Sequence, residues 1–91
     1  MIQPTSLAAR DSMTDTVLAV QRRLVLTYLT ERGRLGATDF EIERDTRIPG
    51  NSVRPRRGEL VDRGIVVDAL SRRKTPRGRW AIVWRVATAA T

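Results

Sequence analysis

Five cations, Arg72, Arg73, Lys74, Arg77 and Arg79, fall within the nine residues from Ser71 to Arg79, and no acid lies among them. Side chains of this type at this density neutralise a run of phosphates, giving an affinity that falls steeply with salt and carries no sequence information. Ser71 and Thr75 add hydroxyl groups of the kind that bond phosphate oxygens. A second group stands earlier, in IPGNSVRPRRGELVDRG, where Asn51, Ser52 and Arg54 precede Pro55, Arg56 and Arg57. Asn pairs with the edge of adenine and Arg with that of guanine, while an apolar ring such as that of Pro55 suits a thymine methyl. Asn51, Ser52, Arg54 and Pro55 are therefore the base-edge candidates. Arg47 and Arg56 join Arg72, Arg73, Lys74, Thr75, Arg77 and Arg79 as candidates for the phosphate backbone.

Each assignment has a plainer counterpart. Asn51 and Ser52 are also good helix caps, Arg54 and Arg56 could be solvated flanks, and the basic run could be a solvated loop. Arg57 reads as structural, its stem packed and its head paired with a carboxylate.

The rest of the composition narrows the field. The chain has 91 residues, enough for one modest core, with neither cysteine nor histidine. Disulfides, zinc–thiolate sites and the commonest general base are thereby excluded. No phosphate-binding glycine loop, nucleophile elbow or reactive acid pair is present. The expectation is a protein that is not an enzyme and needs no cofactor or metal. Residues 1–46 carry six basic and seven acidic side chains, whereas residues 47–91 carry eleven basic and three acidic. A net charge of +7 concentrated in one half implies a polyanionic partner for that half. No apolar run approaches the ~20 residues of a membrane span, and the first residues lack a signal-peptide apolar stretch. A cytoplasmic, nucleoid-associated protein with no membrane partner is expected.

The elements that must position these residues follow from spacing. Residues 1–13 are small, polar and aperiodic and read as a tail. Residues 14–87 read as one domain and 88–91 as a frayed end. From Asp15 to Arg32 the pattern is helical, with Val17, Val20, Leu24 and Tyr28 on one stripe and Leu18, Val25 and Leu29 on the next. Gly33 ends this helix, and a face so wide suggests burial on two sides, in the core or in a homodimer. Arg22 and Arg23 read as a solvated flank. Residues 34–37 predict a short extended stretch.

Thr38 and Glu41 then form a capping box that opens a second helix, and Pro49 forbids its continuation past Ile48. Pro49, Gly50 and Asn51 make a turn, with Gly50 or Asn51 capping a third helix that ends at Gly64. In that helix Val53, Leu60 and Val61 face inward, Asn51, Ser52, Pro55, Gly58, Glu59 and Asp62 outward, and Arg54 and Arg56 lie on the flanks. Beyond Gly64 the period becomes two. Strands at 65–69 and 80–86 flank a loop at 70–79, with Ile82, Trp84 and Val86 inward; Trp80 reads as core support, with stacking under an arginine as its alternative.

Helix, short strand, helix, tight turn, arginine-rich helix and basic hairpin together form an α+β pattern that resembles the winged helix-turn-helix family. IPGNSVRPRRGELVDRGIV looks like its recognition helix running into the first wing strand, and RRKTPRGRWAIVWRV looks like the wing. The phrasing is similar to small winged-helix DNA-binding proteins of actinobacterial phages and their hosts, over about residues 20–86. The resemblance implies a double-stranded DNA-binding protein, a transcriptional regulator or DNA-organising factor, with the third helix in the major groove and the wing on the backbone or minor groove. Two alternatives stay open. One is a module that docks onto host transcription or replication machinery through its acidic second helix. The other is an RNA binder, disfavoured by the lack of an expected exposed aromatic platform.

Overall fold

The computed structural model describes residues 16–87, so the expected tail and frayed end lie outside the described residues. Helix α1 spans Leu18–Arg32, α2 Asp39–Thr46 and α3 Gly50–Asp62; β1 spans Val66–Lys74 and β2 Trp80–Val86. Three helices followed by an antiparallel two-stranded hairpin are the layout of a winged helix-turn-helix. One core joins every element. It contains Val25 and Leu29 of α1, Ala37, Ile42 of α2, Ile48, Val53 and Leu60 of α3, and Val66 of β1. Trp84 and Val86 pack against it.

Only part of the broad apolar face of α1 is buried. Val25 and Leu29 enter the core, whereas Val20 and Leu24 stay about half exposed. Gly33 ends the helix at φ +57° and ψ −130°, a conformation suited to glycine, and donates its N–H to the carbonyls of Leu29 and Thr30. The stretch expected to be extended is instead a 3-10 turn, Gly33–Leu35, followed by a single bridge. Ala37 and Trp84 exchange both backbone hydrogen bonds, at 2.9 and 2.8 Å. Gly36 makes this possible, because a Cβ there would lie 2.4 Å from the Trp84 carbonyl oxygen. The same turn covers β2 from the side that alternation assigned to solvent, and it buries Val83 to 1% exposure.

The capping box forms as spelled. Glu41 donates its N–H to Thr38 Oγ1 at 3.2 Å, and Thr38 donates its own to Glu41 Oε1 at 3.1 Å. Helix α2 ends at Thr46, and Arg47 turns the chain with φ +66°, a conformation that costs a residue with a Cβ. The cap of α3 is neither Gly50 nor Asn51. Pro49, extended at ψ 144°, aims its carbonyl at the N–H groups of Ser52 and Val53, at 2.8 and 2.9 Å. Gly50 and Asn51 are thus the first helical residues. Gly50 lies against α2 so closely that a Cβ would sit 2.7 Å from a Glu43 carboxylate oxygen.

The hairpin is longer than its sequence suggests. Val66 pairs with Val86, Asp68 with Trp84, Arg72 with Ile82 and Lys74 with Trp80, so β1 carries two extra residues in a bulge between Asp68 and Arg72. There Leu70 adopts φ +63° and donates its N–H to Asp68 Oδ1 at 2.7 Å. This interruption ends the two-residue period early and disguises the second half of β1 as loop. The true turn covers residues 75–79. Thr75 and Arg79 close it at 2.8 Å, and Gly78 supplies a positive φ.

Candidate nucleic-acid interface

The buried side of α3 is set by Val53 and Leu60, seven residues apart. Its exposed side is a single stripe at alternating steps of three, one, three and four: Asn51, Arg54, Pro55, Gly58 and Asp62, of which Gly58 is half-exposed. Ser52 lies half-buried beside it. Two of these residues weaken a helix. Pro55, six residues in, has no N–H for the Asn51 carbonyl. Gly58 costs about 1 kcal/mol relative to Ala, yet a Cβ there would meet nothing within 4 Å. No packing within the described residues asks for that glycine.

Two expected positions on this helix change sides. Arg56, assigned to phosphate, is 7% exposed. It stands three residues after Val53 and four before Leu60, and that spacing places it on the inner line. Its Nε and Nη2 donate to the two Glu59 carboxylate oxygens at 3.0 and 2.7 Å, and Nη1 reaches Gln21 of α1 at 3.5 Å. Glu59, assigned to the outward face, also accepts from Arg22 of α1 at 3.0 Å. Arg22 is therefore a clamp between α1 and α3. The Arg56 hydrogen bond outweighs burial and, with Arg22, holds the Glu59 carboxyl below its ordinary range. As a result the stripe carries no acid before Asp62.

Arg57 is structural, as its inward angle predicts. Its Nε and Nη2 donate to the Asp39 carboxylate at 3.0 and 2.7 Å, and its guanidinium lies 4.2 Å from the centre of the Trp84 ring.

The basic run divides into fixed and available charges. Arg73, expected on phosphate, is fixed. It donates to both Glu41 oxygens at 2.8 and 3.1 Å and to the Leu35 carbonyl at 3.1 Å. The correction follows from the strand: once β1 continues through the bulge, Arg73 pairs with Ala81 and its side chain points back to α2. Arg32 of α1 shares Glu41 at 2.9 Å. Burial pushes the Glu41 carboxyl up, but the hydrogen bonds from Arg73 and from the Thr38 N–H prevail and hold it low. Arg72 remains exposed while touching Asp68 at 3.3 Å. The Thr75 hydroxyl oxygen accepts the Arg79 N–H at 3.3 Å, so it shapes the turn. Arg77 and Arg79 are exposed and make no ion pair among the described residues, as do Arg54 and Arg47.

Trp80 does not support the core. It is 68% exposed at the tip of the hairpin, with the Lys74 ammonium 5.2 Å from its ring centre. Core support was expected of it, but Trp80 opens β2 directly after the Gly78–Arg79 turn, at the end of the hairpin opposite the Val66–Val86 pair. Phe40, near the start of α2, is likewise exposed, and it borders shallow grooves shared with Thr75, Arg77, Arg79 and Trp80. The acids of α2 are largely engaged: Asp39 by Arg57, Glu41 by Arg32 and Arg73, and Asp45 by Arg44 and the Tyr28 hydroxyl. Burial and the bond to Asp45 push the Tyr28 hydroxyl up to about 12.

Among the described residues no group of three or more acids lies together as a metal would require, and no helix is long and apolar enough to cross a membrane. No family model matches the chain, and no curated protein matches its sequence significantly.

Proposed function

We propose that this protein binds double-stranded DNA through the exposed stripe of α3 and the tip of the hairpin, as a transcriptional regulator or DNA-organising factor at the nucleoid. The carrying observation is the withdrawal of negative charge from the first part of the stripe: Glu59 is drawn aside by Arg22 and Arg56, leaving Asn51, Arg54 and Pro55 without an acid beside them and Asp62 alone at the far end. On this reading the stripe enters the major groove, Asn51 and Arg54 meet base edges, and the absent Gly58 side chain allows close approach. Arg77, Arg79 and Arg47 then meet phosphates. Val20 and Leu24 give α1 an exposed apolar pair on which a second copy would place two such helices on a two-fold site.

The competing reading, docking onto a protein through an acidic α2, loses support because Asp39, Glu41 and Asp45 already hold arginines of this chain. The test is fluorescence-anisotropy titration with a mixed-sequence duplex pool and with a fragment from beside the protein's own gene, at several salt concentrations. Preference for the gene-proximal fragment, relaxed by Arg54→Ala, is the result expected of a regulator. Equal binding with a steep salt slope indicates an architectural factor. Absence of binding at moderate salt ends the DNA reading.

A further inference from the structure

Trp80 is the exposed aromatic side chain for which the packing gives least reason. Its cross-strand neighbour Lys74 accounts for its place at the end of the sheet and lies over the ring, yet 68% of the residue remains open. Tryptophan is on average among the more buried residues, so a solvent-facing indole is informative where an exposed leucine is not. Its surroundings narrow the ligand. Arg79 precedes it, Arg77 lies two residues further back, and neither is paired among the described residues. A shallow groove runs from Trp80 past Ile82 to the exposed ring of Phe40, with Arg79 as its unpaired cation and the mutually paired Arg57 and Asp39 also lining it.

An aromatic surface set among cations suits a planar ring tethered to an anion, and a nucleotide, a neutral base linked to a phosphate, is such a group. In a fully paired duplex the base faces are covered by their neighbours and only edges reach the grooves. The indole therefore needs a base whose face is open. We propose that Trp80 and the adjoining groove form a stacking site for an unpaired nucleobase, so that the protein favours duplex DNA bordered by unpaired nucleotides. This inference rests on the DNA-binding reading and adds a substrate class to it. The site also supplies the aromatic platform that the sequence did not reveal.

The test compares three labelled probes by anisotropy at one moderate salt concentration: a blunt duplex, the same duplex with a short single-stranded tail, and the same with an abasic tail. The natural base tail should tighten binding about tenfold, in line with the cost of removing a single stacking aromatic, and the abasic tail should not. Trp80→Ala should erase the gain, and Trp80→Phe should keep most of it. The residue is exposed, so a melting curve matching that of the parent protein is expected for both. If blunt and tailed duplexes bind alike, the stacking site is refuted and the DNA reading stands. A tail preference that survives Trp80→Ala, or that an abasic tail reproduces, also refutes it. If no probe binds, both readings fall together.

Discussion

Arg57 and Trp84 are stacked, the guanidinium 4.2 Å from the ring centre, while the same guanidinium grips Asp39 with two nitrogens. One side chain of α3 thus binds the start of α2 and the second strand of the hairpin. Arg57→Met keeps the aliphatic stem and removes both interactions. A loss of about 1–3 kcal/mol is expected, since a partly desolvated fork and a cation–π contact vanish together. Arg57→Lys should recover only part, because an ammonium cannot hold the carboxylate at two points and stack. Urea denaturation followed by tryptophan emission measures both.

Glu41 gives a prediction in pH. Its carboxyl is held below its ordinary value of 4.5 despite burial, by Arg73 and the Thr38 N–H. A depressed folded-state value means that the stabilisation is complete above the unfolded value and is lost as pH falls through the folded one. Thermal melts should therefore show a falling Tm below about pH 4.5. Glu41→Gln should lower Tm near neutrality and make that acid limb shallower. Some slope should persist, because Glu59 is depressed in the same direction by Arg56.

Arg47 occupies a left-handed position at φ +66° that glycine adopts without cost. Arg47→Gly should raise stability by about 0.5–1 kcal/mol in denaturant titrations. On the DNA reading it should also weaken binding across all sequences and reduce the salt slope by about one.

Gly58→Ala makes the same separation on the exposed stripe of α3. The added methyl meets nothing within 4 Å, so only the gain in helix propensity remains, about 1 kcal/mol. If the stripe lies against DNA, that methyl stands in the contact and affinity should fall while Tm rises. Unchanged affinity would remove Gly58 from the interface.

Local chemistry was the legible part of this chain. Thr38 and Glu41 name a capping box by type and spacing, Pro49 and Gly64 bracket α3, and the inward angle of Arg57 marks it as structural. Features decided by distant partners stayed hidden. Glu59 turns aside because Arg22, 37 residues earlier, reaches it. Arg73 leaves the basic run because Glu41, 32 residues earlier, accepts it. Val83 is buried by a 3-10 turn that no strand periodicity announces. The bulge at Leu70 conceals half of β1, so that Arg72, Arg73 and Lys74 read as loop rather than strand.

Arg73 also settles how the hairpin can move. Its bonds to Glu41, which in turn holds Arg32 and the Thr38 N–H, lock β1 to the start of α2, and Arg57 locks α3 to the same helix. Helix α3 and the hairpin are thereby held as the two jaws of a caliper. On the DNA reading, a duplex grasped by such a tool has to supply the compliance itself. Its stiffness and groove width would then weigh in the affinity even at base pairs that no side chain touches.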